Sequence, residues 1–487
     1  MILPVALLFS GNITRAQSYT GYHSSAYSGV YGIVTNPADI LNHRTRADIN
    51  LAGVSVGVGN NTVAFKYANR NNDQAGFSFK DPITRKGKLN FNTDVFGPSF
   101  MIKLSDKHAL ALTTRARVMA NVHGISPAIL NMALPDTINA SLINHNLSLS
   151  DMSVNAHAWK EVALTYSRQF ANAVYGVWKL GVSAKYLGGI SAVSMHSRNL
   201  SYALDTFFDP GVGRRQGIVM NTQGNIALGY TSNIDSITQQ DITSFKNRGL
   251  GLDIGVSYEF RDEMQVYETS YSDKTANYIW KIGASITDIG FIRYPKEQTK
   301  WVAAKFSGNN YLLDDLAPPT DSTGIDQQYN YYSKLFKVNT QSSPITMHLP
   351  ATLHLTYDRY INKWLGVQGQ VNVPLVFSTL SYYEGNYNPL SVFITPRAET
   401  PWGGVYMPVS YNSISGMQVG AALRLGPLVI GSASIFRSRF FKTKGSDAYF
   451  IVRIPFFGYR EYKEKKFKEK IKLTRRERRQ LDCPTAN

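Results

Sequence analysis

Between Leu250 and Phe260 the chain alternates without a break. Leu250, Leu252, Ile254, Val256, Tyr258 and Phe260 are apolar, while Gly251, Asp253, Gly255, Ser257 and Glu259 are small or charged. Successive side chains of a β-strand point to opposite faces, so this segment presents one apolar and one polar face. Its length is about what a tilted strand needs to cross a bilayer. A half-buried strand of a soluble sandwich alternates in the same way, so recurrence has to decide. Phe96, Pro98, Phe100, Ile102 and Leu104 oppose Lys103. Leu110, Leu112, Thr114, Ala116, Val118 and Ala120 oppose Thr113, Arg115, Arg117 and Asn121. The pattern returns at Trp178–Tyr186 against Lys179 and Lys185, at Tyr278–Ile286 against Lys281, and at Phe450–Phe456 against Arg453. In each case the charges keep to one parity, which predicts an all-β chain forming a transmembrane antiparallel barrel.

Composition narrows the alternatives. A chain of 487 residues holds two or three soluble domains or one large barrel. No run of about 18 apolar residues occurs, which excludes helical membrane spans. A barrel escapes hydropathy plots because half of its residues face a polar lumen. The 29 Tyr and 24 Phe suit interfacial aromatic girdles. A single cysteine, Cys483, removes any disulfide framework or cysteine metal site, and its place near the C-terminus rules out an acylated lipoprotein cysteine. The apolar stretch Ile2–Phe9, followed by Asn12–Gln17, reads as a secretory signal cleaved after Ala16, although a basic leader is missing. Residues 1–16 are thus assigned as signal peptide.

Strands are expected near 47–59, 62–69, 75–80, 94–104, 109–121, 154–169, 176–192, 249–262, 276–287, 351–361, 364–376, 416–425, 428–437 and 447–457, fourteen in all. Outer-membrane barrels keep both termini periplasmic, with short periplasmic turns and longer outer loops. The short links Ser105–His108, Phe170–Tyr175, Ile361–Lys363 and Gly426-Pro427 alternate with long ones near 122–153, 193–248, 288–350 and 377–415. A fifteenth strand around 216–231 breaks that alternation, so the segment is placed in an outer loop as a small hairpin. Ser126-Pro127 ahead of Ala128–Leu134 predicts a capped helix, and 297–316 a second short one. Polar loops are expected around 317–345 and 377–395. On this count Leu250–Phe260 is the eighth strand, running toward the periplasm, with Tyr258 and Phe260 in the periplasmic girdle.

Residues 459–487 form a basic tail after a barrel at 47–458. From Tyr459 to Asp482 eleven Lys or Arg face five acidic residues, and Glu461/Lys465 and Glu464/Lys468 have helical i,i+4 spacing. Lys465, Lys466, Arg475, Arg476, Arg478 and Arg479 are candidate contacts for a periplasmic protein, anionic lipid or the cell wall. The plain alternative is a charged tail with no dedicated partner. Export argues against nucleic acid. The rest of the +17 net charge sits largely on the barrel, with Arg115, Arg117, Lys179, Lys185, Lys281 and Arg424 expected in the lumen.

Ahead of the first strand the chain reads Ser25-Ala-Tyr-Ser28-Gly29-Val-Tyr-Gly-Ile-Val-Thr-Asn36-Pro37-Ala38. This resembles the N-terminal hatch of the FadL family, outer-membrane transporters of long-chain fatty acids, where a similar start and an Asn-Pro-Ala motif lead into the barrel. The layout is similar also to FadL-like barrels of Bacteroidota, which include PorV-like proteins of type IX secretion and a neighbouring family of unknown function. Lys281–Gly290 and Gly416–Gly426 resemble the strand-plus-turn phrases of that neighbour. The resemblance implies a fourteen-strand barrel in a Gram-negative outer membrane. It implies a hatch over 17–46, with Ser28, Gly29, Asn36, Pro37 and Ala38 as its marked residues. The basic tail departs from FadL itself and shifts the expectation toward a partner protein. Physically, a barrel this wide leaves a lumen that something must fill. Gly29, Gly32 and Pro37 suit an irregular segment packed on lumen glycines such as Gly251, Gly255 and Gly283, although Asn36-Pro37 is also an ordinary turn.

Catalytic patterns are lacking. The nine histidines show no His-x-x-x-His spacing, no Gly-x-Ser-x-Gly elbow occurs, and no glycine-rich phosphate loop is present. His354 lies between Leu353 and Leu355 and is expected in the lumen as a structural residue. Asp253 and Glu259 are expected in lumen ion pairs. Neither enzyme activity nor a cofactor is expected. Two functions remain open: a non-enzymatic structural or assembly partner of an envelope complex, preferred because of the tail, and a FadL-like transporter of hydrophobic small molecules, with Gly188-Gly189 as a candidate kink in the wall. A soluble secreted β-protein is the third reading.

Overall fold

The computed structural model describes residues 18–66, 76–79, 86–126, 146–148, 152–173, 176–211, 214–261, 278–312, 314–316, 324–336, 338–375, 384–440 and 443–457. Fourteen strands form the wall. They are β1 Ala47–Asn60; β2 Gly87–Phe96 with Ser99–Ser105; β3 His108–Ile125; β4 Ser153–Ala173; β5 Gly176–Asp209; β6 Asn247–Phe260; and β7 Trp280–Tyr294. The ring continues with β8 Thr352–Tyr360; β9 Leu365–Pro374; β10 Ser391–Glu399; β11 Gly403–Tyr406 with Val409–Asn412; β12 Gly416–Val419 with Ala421–Leu425; β13 Leu428–Ser432; and β14 Gly445–Phe456. Each pairs antiparallel with its successor, and β14 closes on β1 from Ala47↔Phe456 to Gly59↔Gly445. Closure leaves no edge strand, which a sheet in hydrocarbon requires.

Alternation decides the faces. Ile49, Leu51, Leu164, Leu180, Leu250, Ile254, Ile282, Leu355, Ile394, Leu423, Ile430 and Phe450 stand exposed on the outside. Arg115, Lys179, Asp253, Glu259, Arg397 and Arg453 are buried inside. An exposed apolar belt around a charged interior is the pattern of a lipid-embedded wall. At the turn end an aromatic strip runs across three strands, with Trp178 4.8 Å from Tyr258, Tyr258 5.7 Å from Trp280, and Phe260 stacked on Trp280 at 5.2 Å. Aromatic rings gather at headgroup level in this way.

The wall has fourteen strands, but not the fourteen expected. Val63–Lys66 and Gly76–Phe79 pair only with each other, in a separate two-stranded sheet. In their place β10 and β11 come out of the supposed outer loop at 377–415. Leu250–Phe260 is therefore part of the sixth strand, and its direction is unchanged because the miscount was even. The segment 216–231 belongs to the strand Arg214–Thr231, which pairs with the upper half of β5 and with Thr299–Leu312. The helix expected at 297–316 is mostly that second strand, flanked by single turns Lys296–Gln298 and Asp314–Leu316. A helix occupies Ile325–Leu335, and another, Ile435–Phe440, follows β13, which stops at Ser432. Short and long links are less segregated than expected: 261–279 is long on the turn side, while the β11–β12 turn is short on the other. The helix expected at 128–134, the signal segment and the tail lie outside the described residues.

Two residues face the other way from their expected parity. Phe96 is buried inside, because Gly97-Pro98 interrupts β2 and resets its alternation, so that Val95 but then Phe100 faces out. A proline cannot donate to the ladder and marks such breaks. Tyr278 precedes the first residue of β7 and turns inward onto Tyr360, ring centres 5.5 Å apart.

Candidate functional site

The interior is filled from the turn end by Ser18–Arg46. This segment has little regular structure of its own: single turns Tyr22–Ser24 and Val30–Ile33, and a 3-10 turn Pro37–Leu41. Asn36 caps the last of these, its Oδ1 accepting from Ala38 N at 2.9 Å, with Pro37 at the first position. Both choices suit a helical start. Asn36 Nδ2 donates to the wall carbonyl of Val256 at 3.1 Å.

Three glycines on adjacent strands make room for this turn. A Cβ on Gly255 would lie 2.1 Å from Asn36 Oδ1, and one on Gly283 would lie 2.9 Å from Asn36 Nδ2. One on Gly181 would fall 2.2 Å from the Pro37 carbonyl carbon and 2.3 Å from Ala38 N. Gly251 plays no such part; its nearest neighbours are Lys185 and Leu349. Gly29, at φ +60, rests on Asp48 and Arg453, where a Cβ would meet Asp48 Oδ2 at 1.9 Å. Ser28 Oγ donates to Ser25 O.

Polar anchors then tie the segment around the ring. Ser25 Oγ and Ala26 N donate to Glu399, Tyr19 OH to Asp94 O, and Tyr31 OH to Asn50. Lys281 pairs with Asp39 at 3.1 Å. Lys179 pairs with Glu259 at 2.6 Å and also donates to Asn42, and Arg261 takes the second Glu259 oxygen at 2.6 Å. Tyr19, Tyr22 and Tyr31 pack with Phe96, Tyr406 and Tyr449 in one buried aromatic cluster. A space of about 10 Å³ remains between the segment and the wall, lined by His23, Asp39, His43, Tyr278 and Lys281 among others. That is room for about one water molecule.

Above the segment lies a charged layer. Asp94 holds Arg115 through two hydrogen bonds, and Arg115 reaches Glu161 at 3.3 Å. Arg117 crosses the lumen from β3 to Asp288 of β7 at 2.7 Å. Lys185 bridges Asp288 at 2.6 Å and Asp253 at 2.8 Å. Asp288 occupies a bulge at φ +60, and its N–H donates to Asp253 at 2.7 Å. Arg424 is remote from this layer; it donates to the carbonyls of Thr400, Pro401 and Gly403 at the turn end. His354 bonds Thr287 and Asn372. Higher still an apolar layer forms from Met119, Trp159, Leu187, Ile292, Tyr294, Met347 and Leu349. Asn386 closes it from the outer side through Asn121 and the Asn155 carbonyl.

Sequence reasoning missed Asp94, Glu161, Asp288, Arg397 and Glu399. Arg397 and Glu399 share one parity in β10 and carried a readable signal, but the surrounding polar composition suggested a loop. Gly188-Gly189 sits at a bulge where β5 exchanges β6 for Arg214–Thr231 as its partner. Gly188 makes room for Phe245 on the lipid side, and Gly189 for Tyr294 inside.

The buried segment carries a pH dependence. Burial holds the His43 imidazole well below its usual range, reinforced by Lys103, Lys281 and Arg453, and burial also lowers His23. Both are neutral when packed and take up a proton more readily once exposed. Their contribution is therefore complete above the ordinary histidine range near 6.5 and is lost as pH falls through it, by up to about 1.4 kcal/mol per group per pH unit. Proteolysis of residues 18–46 in the vesicle-inserted protein should accelerate between pH 7.5 and 5.5. His43→Gln should flatten that profile, and an unchanged profile would remove His43 from the account.

A closed fourteen-strand barrel with an apolar belt, a charged interior and an internal plug defines a membrane-spanning β-barrel of the outer-membrane type. The model of a family of unknown function, DUF5723, matches residues 37–433. The chain belongs to that family. No curated protein matches. Among solved structures, the Ralstonia pickettii toluene transporter TbuX is similar at 11% identity and TM-score 0.40, over 88% of this chain and 94% of that one. A Pseudomonas aeruginosa FadL homologue is similar at 11% and 0.36, over 91% and 98%. The P. putida toluene transporter TodX gives 9% and 0.36, over 88% and 92%.

Proposed function

We propose that this barrel passes hydrophobic small molecules across the outer membrane, with Ser18–Arg46 as its gate. The observation that supports this most is the stacking inside the wall. An apolar layer faces the outer side, and beneath it the passage is filled by a segment that is continuous with the wall only at Ala47. A segment that leaves and returns needs a fixed seat. Gly181, Gly255 and Gly283 supply one. An assembly role through Lys465, Lys466, Arg475, Arg476, Arg478 and Arg479 is the second reading, favoured by the charge of the tail alone.

Locking the gate tests the proposal. Asn42 Nδ2 and Ser257 Oγ lie 3.4 Å apart, and the chain has one native cysteine. In a Cys483→Ser background, Asn42→Cys with Ser257→Cys should stop uptake of a fluorescent fatty acid or of toluene when oxidised, and release it on reduction. Uptake indifferent to the lock would sink the gate. No uptake of either probe, with partners lost on truncation after Gly458, would favour assembly.

A further inference from the structure

The outward face of the outer rim carries a row of cations. Lys160 of β4 lies beside Gly188 of β5, and Gly188 beside Arg248 of β6. One step beyond the pair Gly249↔Ile292, Arg248 comes next to Arg293 of β7. Their parity is that of lipid-facing residues: Lys160 with Leu164, Arg248 with Leu250, and Arg293 with Phe291. With neighbouring strands about 4.8 Å apart, the row spans roughly 14 Å. Tyr186, Leu250 and Phe291 form the apolar surface just below it. Across the ring the same rim shows Leu390, Val392, Tyr411 and Met417 instead.

The loop entering β6 folds onto this face. Phe245 stacks on Tyr186 with ring centres 5.0 Å apart, in the space left by Gly188. Lys160 Nζ lies 4.6 Å from the Phe245 ring and donates to the carbonyls of Ile242 and Ser244, and Arg248 Nε donates to Phe245 O at 3.3 Å. Ile237 and Ile242, around the turn Gln239–Thr243, are 45% and 53% exposed. Lys246 adds a further cation, facing Asp241 at 3.8 Å.

We propose that this face binds the phosphorylated headgroup of an outer-leaflet lipid. Arg248 and Arg293 present guanidinium forks matched to phosphate oxygens, and Lys160 closes the row. Ile237 and Ile242 enter the boundary between headgroup and acyl chains, where exposed aliphatic residues lose no hydration they need. Cations above an apolar surface meet lipid phosphate at the depth where a membrane presents it. A soluble anion would match the charges but not the isoleucines.

The full chain, exchanged into phosphatidylcholine nanodiscs containing bis-phosphorylated lipid A, should retain that lipid in native mass spectrometry. Arg248→Gln with Arg293→Gln should lower retention by about tenfold or more, as expected for loss of two charge-assisted contacts. Ile237→Ser with Ile242→Ser should lower it separately. Heat-modifiable gel mobility shows that each variant is folded. Undiminished retention in the arginine variant, or equal retention of dephosphorylated lipid A, would overturn the proposal. So would displacement of the lipid by inorganic phosphate alone.

Discussion

Gly181→Ala should unseat the internal segment and open the barrel. The added methyl would fall 2.2 Å from the Pro37 carbonyl carbon and 2.3 Å from Ala38 N, and both are backbone atoms of a capped turn. A side chain can rotate away from such an overlap; this turn has to move as a body. Moving it breaks the Asn36–Val256 bond and lifts Pro37–Leu41 from β5 and β6. Overpacking of this kind costs typically about 1–3 kcal/mol, enough to shift a seated-to-unseated equilibrium by about fivefold or more. The open probability of single channels in planar bilayers should therefore rise by about that factor, with residues 18–46 open to protease. Gly251→Ala is the matched control, lumen-facing on the adjacent strand β6 but with Lys185 and Leu349 as neighbours at 3.2 and 3.4 Å. If Gly181→Ala is as silent as Gly251→Ala, the cradle has no gating role.

The contrast between these two glycines shows what the sequence makes legible. Alternation assigns Gly181, Gly251, Gly255 and Gly283 to the lumen without difficulty, because parity is local. Which of them touches Asn36 or Pro37 depends on the level at which a distant segment crosses, and alternation carries no information about that. The same limit explains the strand errors. Val63–Lys66 and Gly76–Phe79 have good strand composition but pair off the wall. Ser391–Glu399 is a full wall strand whose signal is diluted by Pro396 and the polar residues before it. Parity survives only where the ladder is regular. Gly97-Pro98 reset it ahead of Phe100, and the bulge at Asp288 places a carboxylate where Arg117 and Lys185 converge. The lumen charges Asp253 and Glu259 were readable from Leu250–Phe260, and their partners Lys185 and Lys179 lie on the adjacent β5, but nothing in the alternation pairs Arg117 of β3 with Asp288 four strands further round the ring.

Glu399→Leu should produce the largest loss of stability, together with a leak. Its carboxylate accepts from Ser25 Oγ at 2.6 Å, Tyr360 OH at 2.9 Å, Arg397 Nε at 3.0 Å, and Ala26 N and Tyr406 OH at 3.2 Å each. It is fully buried, so no water replaces these bonds. Leucine fills most of the volume but leaves five donors without their acceptor. Arg397 keeps Asp358, at 2.8 and 2.9 Å, and is the least affected. Breaking a buried, hydrogen-bonded charge site from one side costs about 3–5 kcal/mol. That loss should appear in urea unfolding of the vesicle-inserted protein. Two of the orphaned donors, Ser25 and Ala26, belong to the internal segment, so part of the loss is its detachment. Conductance should rise in the same variant. Glu399→Gln, which retains one acceptor oxygen, should fall between it and the native chain on both measures. Lower stability with a sealed barrel would make Glu399 a brace of the wall alone and move the latch to Lys179, Lys281 and the glycine seat. Parallel change in both makes the strength of the wall and the closure of the gate depend on one carboxylate.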